Sequence, residues 1–150
     1  MRKILVIGSG KSSSYLIKYF LNKAKTEKLF VTIGDINIEH AELLIKNNPN
    51  ARAIKLDVFN DKARAEAIIN SDIVVSMLPA RFHIEVAKDC VTYSKSMVTA
   101  SYVSKDMLEL DSAVKEKGLV FMNEIGVDPG IDHMSAMKVI DSIRDRGGEM

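Results

Sequence analysis

Six short apolar runs recur along the chain, each followed by a longer stretch with apolar residues at helical spacing. The runs fall at residues 3–7, 29–34, 53–56, 73–78, 96–99 and 119–122. The amphipathic stretches fall at 11–25, 37–47, 60–70, 81–91, 104–116 and 129–145. Runs that are apolar throughout, rather than at alternate positions, predict strands buried on both faces. Helices between successive strands supply both covers and force parallel pairing. Each crossover must then be right-handed. The pattern predicts an α/β fold, a doubly wound parallel six-stranded sheet of Rossmann type in the order 3-2-1-4-5-6. A flavodoxin-like five-strand order leaves the run at 119–122 unexplained.

Composition narrows what such a sheet can serve. The chain has 150 residues, 47% hydrophobic and 27% charged, enough for a real core and far from the composition of a disordered chain. Its 21 Lys and Arg balance 20 Asp and Glu. Neither nucleic acid nor an anionic membrane surface is expected as a partner, since both need a basic excess. No stretch approaches the ~20 apolar residues of a membrane span. The opening apolar run is too short for a signal peptide. A single cysteine, Cys90, excludes an internal disulfide framework and points to a reducing, cytoplasmic setting. It reads as a core residue, with no cationic neighbour to activate it.

The first strand runs into Gly8-Ser9-Gly10-Lys11-Ser12-Ser13, and a helix follows. This is the context of a dinucleotide-binding turn. Gly8 makes the tight turn, Gly10 admits the pyrophosphate, and Ser13 stands where a third glycine is usual. The helix N-terminus offers amide groups to the phosphates. A purely structural turn is the plainer alternative. Gly10-Lys11-Ser12 also mimics the end of a triphosphate-binding loop, but that loop needs a glycine at position 5, and Leu5 stands there. Asp35 ends the second strand, where a carboxylate can accept both hydroxyls of the adenosine ribose. It would repel a 2′-phosphate, and no Lys or Arg occurs between it and Lys46, so NAD is expected over NADP. The alternative is a helix-capping Asp.

Asp57-Val58 closes the third strand beside the adenine, or is simply a turn. Leu78-Pro79 ends the fourth strand at the switch point, on the nicotinamide side. Ser101-Tyr102 follows the fifth strand, and Asp128, Asp132 and His133 follow the sixth, all at the carboxyl edge where ligands bind. Asp128 is also a candidate N-cap for the last helix, with Pro129 in its first position. His40 and His83 read as surface or packing residues. No Cys/His cluster has metal-ligand spacing and no nucleophile elbow is present, so metal and hydrolase readings have no support.

The block Glu124-Ile125-Gly126-Val127-Asp128-Pro129-Gly130-Ile131-Asp132-His133 is far more specific than the glycine turn. It resembles the saccharopine dehydrogenase (L-glutamate-forming), or saccharopine reductase, family. Ser76-Met77-Leu78-Pro79 with Phe82-His83, and Ser101-Tyr102-Val103-Ser104, are similar to that family's segments after strands four and five. The resemblance implies a nicotinamide-dependent oxidoreductase of lysine metabolism, interconverting saccharopine with glutamate and 2-aminoadipate 6-semialdehyde. It implies that Gly8, Ser9, Gly10, Ser12 and Ser13 hold the pyrophosphate, and that Asp35 and Ile36 hold the ribose. Asp57 and Val58 would hold the adenine, while Leu78 and Pro79 line the nicotinamide side.

Ser101, Tyr102 and Asp128 would contact the amino-acid substrate. Asp128 and His133 are candidates for acid–base work, although neither is assigned a catalytic role, and no metal is implied. Fungal members with an Arg near the Asp35 position prefer NADP, and this chain departs from them there. The family's members are several hundred residues long and homodimeric. Residues 1–128 are therefore expected to be the dinucleotide-binding domain, and 129–150 a helix leading into an absent catalytic and dimerisation domain. The isolated fragment would then be inactive. A related dehydrogenase acting on lysine or carboxynorspermidine, or a non-catalytic NAD-sensing module, are the alternatives.

Overall fold

The computed structural model describes residues 1–149. Its six strands are β1 (Arg2–Ile7), β2 (Leu29–Asp35), β3 (Ala51–Lys55), β4 (Ile73–Ser76), β5 (Ser96–Thr99) and β6 (Phe121–Met122). All pair in parallel, in the order β3-β2-β1-β4-β5-β6. This is the doubly wound order expected from the apolar runs.

The pleat of β1 shows how one sheet serves two cores. Leu5 and Ile7 point into a layer with Leu56, Ile68, Val86 and Met97. Ile4 and Val6 point the other way, into a layer with Ile17, Val31, Ile33 and Ala41. The second layer lies under α1 (Ser13–Lys23) and α2 (Ile38–Ile45). The first lies under α3 (Asp61–Ile69) and α4 (His83–Thr92). Cys90 belongs to that first layer and is fully buried, and burial pushes its thiol pKa up to about 12.

Two expectations need correction. The stretch 104–116 is not one helix but two, α5 (Lys105–Glu109) and α6 (Asp111–Glu116). A tight bond from Leu110 N–H to the Met107 carbonyl, 3.2 Å, breaks the regular ladder between them. The last helix, α7 (Ile131–Arg144), starts after Pro129, so Asp128 does not cap it. Gly130 is the capping residue, with φ of 144°, and its N–H is taken by the Asp132 carboxylate at 2.9 Å. Ile131 N–H is taken by the Gly126 carbonyl, which leaves the Asp128 side chain free to face elsewhere.

No residue of α7 is buried, and Ile131, Met134 and Met137 are 56%, 64% and 46% exposed. Among the described residues no helix is long and apolar enough to cross a membrane.

Candidate functional site

The carboxyl ends of β1, β2, β3 and β4 enclose a groove of about 240 Å³. Gly8, Asp35, Ile36, Asp57, Val58, Leu78 and Pro79 all line it. Seven of the residues expected to hold the cofactor thus share one cavity, and Ser9 to Ser13 follow Gly8 in the chain without lining it. A larger depression of about 680 Å³, between α1 and the segment after α2, contains none of them.

Gly8 has φ of 102°, and a Cβ there would sit 2.8 Å from the Met77 carbonyl oxygen. The turn therefore needs glycine twice over, for its conformation and for the close approach of β4. Around Gly10, by contrast, a Cβ would meet nothing within 4 Å, so this backbone is open to a ligand. Ser13 is 1% exposed, and its hydroxyl donates to the Gly10 carbonyl at 2.8 Å. A serine in place of the third glycine fits this packing.

Asp35 also has partners within the chain. One carboxylate oxygen accepts the Ser9 N–H at 2.6 Å and the Ser9 hydroxyl at 2.7 Å. The other accepts the Asn37 N–H at 2.8 Å. His40, on α2, joins through Nδ1, 3.1 Å from Ser9 Oγ. The carboxylate is a brace between the glycine turn and the end of β2, with its charge already met by three donors. Burial works against the ionised form, but the bonds from Ser9 and Asn37 outweigh it, and the pKa lies below the usual carboxylate value.

A depressed pKa contributes stability that is present above the unfolded value of ~4 and lost as pH falls through the folded one. Asp35→Asn should therefore unfold more readily than the parent at pH 7, by about 1–2 kcal/mol after allowance for solvent at a partly exposed group. In urea melts the gap should close as pH falls through the lowered pKa of the folded carboxylate, and a gap that persists once that group is protonated would contradict the brace.

Two aromatics at the groove were given no cofactor role in the sequence reading. Phe59 is 63% exposed and meets Phe82 edge-on at 4.9 Å, and the Arg81 guanidinium lies 4.6 Å from the centre of the Phe82 ring. The signal was present, since Phe59 directly follows Asp57-Val58 and Phe82 follows Pro79. Asp57 itself makes a turn, accepting Phe59 N–H at 2.9 Å.

The substrate-side residues come together beyond β5 and β6. The Tyr102 hydroxyl donates to Asp128 at 2.7 Å. That bond holds the Tyr102 pKa above the ordinary phenol value. Glu124 stitches the two exits, taking Val103 N–H on its carboxylate at 3.1 Å and giving its own N–H to the Ser101 carbonyl at 3.1 Å. His133 is not part of this group. It faces Asp132, 2.9 Å away, and both are exposed. Among the described residues no cluster of three His, Cys, Asp or Glu could hold a metal ion.

The family model described as the saccharopine dehydrogenase NADP binding domain matches residues 4–122. The chain belongs to the saccharopine dehydrogenase family. It is 35% identical to the saccharopine dehydrogenase [NADP(+), L-glutamate-forming] of Schizosaccharomyces pombe, over its whole length and 33% of that relative. It is 36% identical to the mouse mitochondrial alpha-aminoadipic semialdehyde synthase, over 97% of the chain and 15% of that protein. The structure of apo saccharopine dehydrogenase (L-Glu forming) from Saccharomyces cerevisiae superposes with a TM-score of 0.86 at 33% identity, covering 98% of this chain and 32% of that one. The chain thus spans about a third of the length of its fungal relatives.

These matches overturn the preference for NAD. The family's domain is NADP-binding and the fungal relatives are NADP(+) enzymes. The expectation rested on the Asp35 carboxylate repelling a 2′-phosphate, and that carboxylate also accepts from Ser9 and Asn37 of the same chain.

Proposed function

We propose that this chain is the NADP-binding part of an enzyme that interconverts saccharopine with glutamate and 2-aminoadipate 6-semialdehyde. The observation that carries the reading is the Tyr102–Asp128 pair, which stands off the same sheet edge as the dinucleotide groove. The groove suits the cofactor. Gly8 makes the turn and Gly10 leaves the backbone clear for the pyrophosphate, and α1 begins just beyond. Ile36 and the first turn of α2 follow Asp35, so the amides and dipole at the start of α2 would be the groups to receive a 2′-phosphate in place of a basic side chain. Phe59, Val58 and Phe82 offer an apolar wall for the adenine.

Bound there, NADP supplies the hydride acceptor. The chain's own groups handle protons and position. Asp128 accepts from Tyr102, which keeps the phenol protonated and aimed along the edge where a secondary amine would lie. Ser101, one residue earlier, supplies a further hydroxyl. Residues 1–128 form the cofactor domain in this reading. Helix α7 leads to a further catalytic and dimerisation domain that would cover its exposed Ile131, Met134 and Met137. A cytoplasmic setting belongs to the same reading.

Calorimetric titration of the chain with the two cofactors tests the first half. NADP should bind at least about tenfold more tightly than NAD, a difference of ~1.4 kcal/mol. Equal or tighter NAD binding defeats it. Saccharopine-dependent NADPH formation by the full-length protein carrying this sequence tests the second half, and its absence with pure enzyme refutes the substrate assignment.

A further inference from the structure

Tyr102 belongs to the proton-handling pair, yet little packs against it, since the residue is 60% exposed. What fixes its direction is Glu124, just past β6. The Glu124 N–H donates to the Ser101 carbonyl at 3.1 Å, and the Glu124 carboxylate accepts the Val103 N–H at 3.1 Å. The Ser101 carbonyl belongs to the peptide unit before the Tyr102 Cα, and the Val103 N–H to the unit after it. One residue thus grips both planar units that flank Tyr102, which sets the φ and ψ of Tyr102 from across the sheet edge. With the backbone held, the phenol reaches Asp128 at 2.7 Å.

The grip is strained. Glu124 has φ of 61°, in the left-handed region that side chains disfavour. Among the described residues Lys28, Lys46, Asn47 and Ser94 share that region. Each of those four lies in a turn that leads from a helix into a strand, at the amino edge of the sheet. Glu124 instead follows a strand, at the carboxyl edge where ligands bind. A glycine would adopt this backbone without strain, but it would bring no acceptor for the Val103 N–H. The preceding residue, Asn123, has a side-chain oxygen buried without a hydrogen-bond partner among the described residues. Strain and an unpaired buried acceptor on adjacent residues are the signs of a segment shaped for the site and not for stability.

We propose that Glu124 is a positioning residue, which holds Tyr102 by its two flanking peptide units and so keeps the Tyr102 hydroxyl on Asp128. It acts through Tyr102 and not on the substrate. Its carboxylate serves as an acceptor of the right length, so an uncharged side chain of the same shape can replace it. The proposal rests on the substrate-side role given to Tyr102 and Asp128 above.

Three variants of the full-length enzyme separate the acceptor, the charge and the strain. Glu124→Ala removes the acceptor, Glu124→Gln keeps an oxygen for the Val103 N–H but no charge, and Glu124→Gly removes the acceptor and relieves the strain. The expected pattern is kcat/KM for saccharopine lowered about thirtyfold in Glu124→Ala, with the NADP KM within about threefold of the parent, and kcat/KM within about threefold in Glu124→Gln. Glu124→Gly should melt above Glu124→Ala and be as slow, and it decides in the same way should Glu124→Ala not fold. In a Tyr102→Phe background Glu124→Ala should cost less than about twofold more, because both changes remove one interaction.

Carbon-13 tyrosine spectra of the chain supply a readout apart from activity. The bond to Asp128 holds the Tyr102 pKa above the ordinary phenol value. That elevation should survive in Glu124→Gln and fall back in Glu124→Ala. Parental kcat/KM in Glu124→Ala and Glu124→Gly overturns the proposal. So does a loss in Glu124→Gln equal to that in Glu124→Ala, full additivity with Tyr102→Phe, or a Tyr102 ionisation that Glu124→Ala leaves unchanged. A parent enzyme that binds NADP but does not turn over saccharopine refutes the substrate assignment instead, and the tyrosine spectra still decide whether Glu124 holds Tyr102.

Discussion

Gly130→Ala is expected to cut saccharopine turnover at least about a hundredfold, equivalent to ~2.7 kcal/mol of transition-state stabilisation, while changing NADP affinity by less than about threefold. Gly130 has φ of 144°, a conformation that side chains rarely adopt. A Cβ there would press on the backbone of Gly126, 2.8 Å from its nitrogen. Gly126 and Gly130 are the two ends of a closed turn. Gly126 N–H donates to the Pro129 carbonyl, Ile131 N–H to the Gly126 carbonyl, and Asp132 N–H to the Val127 carbonyl. Asp128 is carried at the tip of this turn and aimed at Tyr102 by it.

The clash cannot be absorbed by a side chain, because every atom it meets is backbone, so the turn must open and Asp128 must move. The cofactor groove lies beyond β1 to β4 and shares no bond with the turn, so its affinity should hold. Because α7 buries nothing, the melting temperature of the chain should drop only slightly. Steady-state kinetics of the full-length enzyme and a cofactor titration check both halves. Parental turnover would show that the turn does not position the substrate-side groups.

The sheet was legible because its evidence is distributed. Leu5 and Ile7 face one core and Ile4 and Val6 the other, so both faces of β1 had to be apolar, and each strand repeated that statement. The site was legible only where backbone conformation dictated the residue, as at Gly8. Side-chain partnerships were not. Asp35 lies where a ribose ligand belongs, yet the nearest donors are Ser9 and Asn37 of the same chain. A reading by position in the motif could not see that these groups also hold the carboxylate.

His83 shows the reverse case. It was read as a surface or packing residue, and it shares a helical face with Val86, Ala87 and Cys90, all buried. The sequence could not show that Ser76, Thr99 and Ser101 would converge on it from two other strands. Asp128 failed as a cap because Gly130 and Asp132 made a better start for α7 without it.

Arg64→Ala should destabilise the cofactor half strongly, costing about 3–5 kcal/mol, or roughly 10 °C in melting temperature for a domain of this size. Arg64 is 4% exposed. Its Nε donates to Asp89 of α4 at 2.7 Å, another nitrogen lies 3.1 Å from Asp61, and a third donates to the Val58 carbonyl. Burial opposes the charge, but the bonds to Asp89 and Asp61 outweigh it, and the guanidinium pKa is raised.

Removing it strands the Asp89 carboxylate, whose side chain is only 19% exposed and has no other ion-pair partner among the described residues. Replacing both members by apolar residues, as in Arg64→Met with Asp89→Leu, should recover most of the loss, because the stranded charge and not the missing attraction carries the cost. The Val58 carbonyl tells the functional half of the story. Arg64 is what holds the Asp57-Val58 turn against α3, so the adenine wall should loosen even in the rescued double variant. The double variant should melt near the parent yet bind NADP about tenfold more weakly, ~1.4 kcal/mol. Full affinity in that protein would mean that Val58 is held by the sheet alone and that Arg64 serves only to join α3 to α4.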